Sequence, residues 1–120
     1  IIRTAPSRDA VTRSFEAGEQ YGLDRFNVTE KIASFLGEIA SDIIQNSNIK
    51  GILLTGGDTA IKTAQSLKIS GVVLHDEIVH GIPYGYFEGE EYKEIIIVSK
   101  AGGFGDEDAV FLVLNFLKHA

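Results

Sequence analysis

The stretch Ile52-Leu53-Leu54-Thr55-Gly56-Gly57-Asp58-Thr59-Ala60 narrows the possible folds more than any other part of the chain. Three apolar residues without polar alternation suit a strand covered on both faces, as in a parallel sheet flanked by helices. Two glycines break the run, and a helix-compatible segment, Ile61 to Leu67, follows. Gly56 and Gly57 can take positive φ, and without Cβ atoms they let a ligand approach the backbone closely. Asp58 or Thr59 is placed to cap the helix, whose first turn presents free amides and the positive end of the dipole. Such a turn can hold a phosphate.

A second copy of the arrangement lies near the end of the chain. Glu94 to Lys100, with the apolar run Ile95 to Val98, leads into Ala101-Gly102-Gly103-Phe104-Gly105 and the helix start Asp106-Glu107-Asp108. If the two strands are parallel neighbours, both loops emerge from one carboxyl edge, where open α/β sheets bind ligands. The expected architecture is α/β: a mostly parallel sheet with helices on both faces and glycine-rich loops at the carboxyl ends of its strands.

The remaining elements follow from periodicity. Ile1 to Ala5 reads as the remnant of a strand, and a helix spans about Asp9 to Gln20 before Gly22 closes it. Asn27 with Glu30 has capping-box character. It opens the clearest helix, with Val28, Ile32, Phe35, Leu36, Ile39, Ile43 and Ile44 on one apolar stripe that packs as core. Gly71 to Leu74 reads as a short buried strand reached by a right-handed crossover. Glu77 to Glu91, with Gly81, Pro83, Gly85 and Gly89, is a structured loop or hairpin. The last helix, about Asp106 to Lys118, is apolar almost all round, so part of it is expected to meet another domain or a second subunit.

With 120 residues the chain is a single domain, small for a complete two-substrate enzyme. The net charge of -6 and scattered basic residues argue against a nucleic-acid surface. No run of about 18 apolar residues is present, so no membrane span is expected. The absence of Cys removes disulfides and thiol chemistry and fits a cytoplasmic location. Because the chain starts at Ile1 and contains no Met, it reads as a fragment of a longer protein.

Neither loop has the spacing of a P-loop or of the Rossmann fingerprint. Lys100, at the end of its strand, could reach a phosphate as a point charge or simply be a solvated strand end. Asp58, Asp106 and Asp108 could share Mg²⁺ with phosphate oxygens, although capping explains Asp58 and Asp106 as well. His75-Asp76-Glu77 with His80 lacks the spacing of a transition-metal site, and no side chain is assigned as a metal ligand. No nucleophile with its base, and no catalytic residue, can be assigned.

The ordered set Thr55-Gly56-Gly57-Asp58-Thr59-Ala60, then Glu77 with Gly81-Ile82-Pro83, then Lys100-Ala101-Gly102-Gly103-Phe104-Gly105, resembles the C-terminal nucleotide-binding domain of the four-carbon acid sugar kinase family, formerly a family of unknown function. The resemblance covers roughly Ile49 to Leu117 in motif order. It implies a two-domain, ATP-dependent kinase that uses Mg²⁺ and phosphorylates a hydroxyl of threonate, erythronate or a 3-oxo-tetronate. It also implies that the sugar acid is held mainly by an N-terminal domain absent from these residues. On this reading Gly56, Gly57, Asp58 and Thr59 line the ATP site, with Lys100 beside them, and Gly102, Gly103 and Gly105 close over it. The family often has Glu at the position of Asp58 and a polar residue at that of Gly103. The fragment alone is expected to be inactive, and a homodimer is compatible with the apolar last helix. Two other readings stay open: a small-molecule-binding or regulatory module, and a sugar-phosphate isomerase-like domain.

Overall fold

The computed structural model describes residues 1–120. In chain order the elements are α1 (Arg8–Gln20), α2 (Arg25–Asn46), β1 (Gly51–Thr55), α3 (Gly57–Ser66), β2 (Val72–Val79), β3 (Ile82–Phe87), β4 (Ile96–Lys100) and α4 (Ala109–His119). Ile1 to Ala5 forms no regular element, so the expected strand remnant is not there.

Local capping chemistry sets the first two helices. The Ser7 hydroxyl accepts the Ala10 amide at 3.2 Å to start α1. Asp24 accepts the Asn27 amide at 2.8 Å to start α2. The capping box expected at Asn27 and Glu30 therefore does not form, because a better N-cap lies three residues upstream. Glu30 instead pairs with Lys62 of α3 at 2.8 Å, a partly exposed ion pair of the kind that contributes up to about 1 kcal/mol.

The buried face of α2 is Val28, Ala33, Gly37, Ala40, Ser41 and Ile44, whereas Phe35 of the expected stripe is 59% exposed. Small residues won this face because α3 crosses there at close range. A Cβ at Gly37 would lie 2.7 Å from the Lys62 carbonyl carbon and 2.9 Å from its oxygen. Gly37→Ala should lower the unfolding free energy by about 1–3 kcal/mol, since overpacking against backbone outweighs the helix-propensity gain. Urea denaturation reads this directly, and a stabilised variant would show that the two helices separate without cost.

The sheet order is β1-β4-β3-β2, with β1 and β4 parallel and the other two pairings antiparallel. The sheet is thus mixed rather than mostly parallel. The cause is the tight turn at His80-Gly81, which folds β3 back along β2 as a hairpin. That turn falls inside the segment expected to be a loop or hairpin. β2 occupies the outer edge, and Val73 and Leu74 are 59% and 63% exposed, so the strand expected to be short and buried is neither.

β4 is the strand covered on both faces, with Ile97 and Val98 at 2% and 0% exposure. Ile97 joins Ala40, Ile44, Leu54, Leu67 and Phe87 in the core under α2 and α3. On the opposite face Ile96 and Val98 pack with Ile82 and with Ala109 and Val113 of α4. Helices therefore cover both faces, as expected. In β1 only Leu54 is fully buried. The outer face of α4 leaves Phe111 and Leu114 exposed. No helix is long and apolar enough to cross a membrane.

Tyr92 is buried beneath the first of these cores and its hydroxyl donates to the Glu91 carboxylate at 2.9 Å. Burial, reinforced by the Glu91 acceptor and charge, raises the Tyr92 pKa above 10.0. The folded state thus retains this proton longer than the unfolded chain. Its contribution is present below the unfolded value of about 10 and is lost as pH rises through the folded one. Tyr92→Phe should flatten that part of the alkaline fall in stability. Denaturation midpoints at pH 9 to 11 check it, and identical slopes in both proteins would refute it.

Candidate functional site: two glycine loops on one sheet edge

The parallel register pairs Thr55 with Lys100, so β1 and β4 end side by side. The Gly56 amide donates to the Lys100 carbonyl at 2.9 Å and ties the roots of the two loops together. The convergence expected from the two strand-glycine-helix stretches is therefore present.

In the first loop Gly56 is the N-cap residue of α3, at φ 91° and ψ 131°. A side chain is strained at that φ, so glycine is required there by the turn itself. Helix α3 begins at Gly57, earlier than the sequence suggested, and no side chain caps it. Asp58 and Thr59 lie inside the first turn and so are not the cap. The amides of Gly57, Asp58 and Thr59 consequently have no intrahelical acceptor. The Asp58 side chain is exposed and makes no hydrogen bond or ion pair within the chain. A Cβ at Gly57 would meet nothing within 4 Å, so nothing in the packing demands glycine at this position.

The second loop is longer than expected, because α4 starts only at Ala109. Asp106 serves it through a carbonyl that accepts the Ala109 amide at 3.1 Å, and Asp108 is the N-cap residue without a side-chain bond. Side-chain capping by Asp106 does not occur. Gly102 and Gly103 are exposed and a Cβ at either would meet nothing within 4 Å. Gly105 differs: it adopts φ 83°, and its Cβ would lie 2.6 Å from that of Ala109 and 3.0 Å from Ile82 Cδ1, so backbone angle and packing both explain it. The Lys100 ammonium donates to the Ala101 carbonyl at 3.3 Å, which keeps it at the root of its own loop.

Beside the first loop lies a cavity of about 410 Å³ between the amino-terminal segment, α1, α2 and the turn at Gly56. Phe15, Ile32 and Leu36 give it an apolar wall, and Thr55, Gly56 and Asp58 stand at its polar end, with Arg3 nearby. Its volume lies within the range of small-molecule sites. Sequence reading missed this cavity, since Arg3 and Phe15 come from segments that only the tertiary fold brings to Gly56. A larger groove of about 790 Å³ opens at the opposite edge of the sheet, between Ser47-Asn48 and Glu90-Lys93. It is lined by polar loops with no glycine turn or free helix amides, so size alone does not make it the site.

No group of three or more His, Asp or Glu side chains stands close enough to hold a metal ion. His80 lies 3.6 Å from Glu77, and the His75 ring packs against Tyr84 with centroids 5.5 Å apart.

The family model for the nucleotide-binding C-terminal domain matches residues 1–110. The chain belongs to this family. A D-threonate kinase of Bordetella bronchiseptica is 34% identical to the domain over 105 residues, which is 88% of this chain and 25% of the relative. A D-erythronate kinase of Heliobacterium modesticaldum is 28% identical over 118 residues, 97% of this chain and 27% of the relative. The domain thus spans about a quarter of the length of these curated relatives. A crystal structure of a Bordetella bronchiseptica domain of unknown function, a domain-swapped dimer with bound citrate, superposes with a TM-score of 0.64 at 36% identity. That match covers 77% of the nucleotide-binding domain and 22% of the solved chain.

Proposed function

We propose that this domain binds the ATP of a kinase that phosphorylates a hydroxyl of a four-carbon sugar acid of the threonate or erythronate type. The observation that carries the reading is the Gly56-to-Lys100 hydrogen bond, which sets two glycine loops and the unpaired amides of α3 on one edge. Amides of Gly57, Asp58 and Thr59 supply donors, and the α3 dipole favours negative charge there, by about 0.3–2 kcal/mol. Gly102 and Gly103 supply exposed backbone from the second loop, and Lys100 a cation at its root. Gly105 contributes by shaping that loop rather than by contact. Asp58, like Asp106 and Asp108 of the second loop, is an exposed carboxylate without a partner in the chain and is suited to share a magnesium ion with phosphate oxygens, because Mg²⁺ commonly takes only one or two protein carboxylates.

Phosphoryl transfer is catalysed chiefly by positioning and charge stabilisation, and Mg²⁺ supplies charge neutralisation when bound. The part assigned to these residues is to bind and orient phosphates. The sugar acid and a catalytic base belong, on this reading, to the remainder of a longer two-domain chain in the cytoplasm. Relatives about four times as long as the domain support that division. The exposed apolar face of α4, with Phe111 and Leu114, supports a contact there with the other domain or with a second copy in a homodimer.

The test is a thermal-shift titration of the full-length protein with Mg-ATP in the millimolar range. A ligand at a hundred times its dissociation constant should stabilise by about 2.7 kcal/mol. A shift that follows Mg-ATP, with phosphorylation of a tetronate, supports the kinase. A folded full-length protein indifferent to every nucleotide would overturn it.

A further inference from the structure

The second glycine loop has few hydrogen bonds to hold its shape. The Phe104 amide donates to the Ala101 carbonyl at 3.2 Å, and the Lys100 ammonium reaches the same carbonyl. What ties this loop to the sheet is packing, and it falls on a third turn. The antiparallel register Tyr84 to Val98 brings the start of β3 beside the carboxyl end of β4, so the His80-Gly81 turn shares the edge with both glycine loops.

Gly81 adopts φ 80°, and the Phe104 ring sits where its Cβ would be: a methyl there would lie 3.1 Å from Cγ and from Cε1, and closer still to Cδ1. The ring is 52% exposed, so only one side is seated. One residue further on, Ile82 Cδ1 supports the loop at Gly105. Two successive residues of the β2–β3 hairpin, Gly81 and Ile82, therefore meet two successive residues of the loop, Phe104 and Gly105.

We infer that the Gly81 turn is the seat of the second glycine loop, and that Phe104 is a positioning residue that holds Gly102 and Gly103 beside the first loop for the ligand. The contact itself stands on geometry; its consequence for nucleotide rests on the kinase reading. Phe104 needs to touch no substrate. Without its seat, the loop would have to be ordered at the moment of binding, and the entropy of ordering would be taken from affinity.

Full-length protein carrying Gly81→Ala, Phe104→Ala, both changes, or Phe104→Tyr tests this by hydrogen exchange and Mg-ATP titration. Exchange in the peptide Lys100 to Asp108 should quicken about fivefold or more in each single alanine variant. It should quicken little further in the double variant, because the added methyl then has no ring to displace and the strain of alanine at φ 80° falls on the β2–β3 turn rather than on this peptide. The dissociation constant for Mg-ATP should rise roughly five- to tenfold in the same variants, with the KM for sugar acid little changed, while Phe104→Tyr restores both. Additive effects on exchange in the double variant, or unchanged exchange in Gly81→Ala, would overturn the seat. Faster exchange with nucleotide affinity intact would overturn the positioning role. Should the wild type bind no nucleotide, the kinase reading falls, and the exchange measurements still decide the contact.

Discussion

Replacing Phe87 by alanine should lower the unfolding free energy by about 3–5 kcal/mol, the usual cost of emptying a buried aromatic site. The ring is 2% exposed and sits under α2 in a core with Ile44, Leu54, Leu67 and Ile97. It also meets Tyr92 edge-on, with centroids 6.4 Å apart and planes at 76°. Aromatic pairs of this geometry add about 0.5–1.5 kcal/mol beyond burial. A loss of that size takes a large share of the 5–15 kcal/mol that domains typically have. Phe35→Ala is the matched control, because a side chain 59% exposed should change stability by no more than about 0.5 kcal/mol. Urea denaturation of the two variants separates them; similar midpoints would mean that Phe87 is not a core residue.

Gly57→Val should leave the domain folded yet reduce Mg-ATP affinity by about tenfold or more, equivalent to at least 1.4 kcal/mol. A Cβ at the first position of α3 meets no neighbour within 4 Å, and valine's helix propensity is no worse than that of the glycine it replaces, so the structural cost is small. Its methyl groups, however, occupy the approach to the amides of the first turn. The pattern to look for is an unchanged melting temperature without ligand and a lost shift with it. A full Mg-ATP shift in Gly57→Val would remove the first loop as the phosphate seat. Gly56→Ala offers a contrast, because at φ 91° and ψ 131° the strain falls on the fold itself and costs about 1–3 kcal/mol with or without nucleotide.

The strands and helices that local patterning marks are largely those that form. Apolar runs at Ile52 to Leu54 and Ile95 to Val98 became β1 and β4, and the glycines after each marked both turns on the carboxyl edge of those strands. Their convergence was also legible, because parallel neighbours must end on the same side. The direction of the other pairings was not. β2 reads like a buried parallel strand in its first residues, Val72 to Leu74, and only the hairpin at Gly81 sends β3 back and leaves β2 on the edge.

Glycine shows the same division within the site. In the sequence Gly56, Gly57, Gly102, Gly103 and Gly105 are indistinguishable, yet Gly56 answers to a backbone angle, Gly105 to a backbone angle and to the Ala109 and Ile82 side chains together, and the other three to nothing inside the chain. Helix caps misled for a related reason: Asp58 and Asp106 have the right composition, but the chain had already turned at Gly56 and had not yet turned at Ala109. Periodicity and turn chemistry are interactions between residues a few positions apart, and these the sequence carries openly. The Phe104 seat on Gly81, the Gly37 crossing and the cavity beside Phe15 join residues far apart in the chain. They exist only once burial of the two cores has fixed where each element lies.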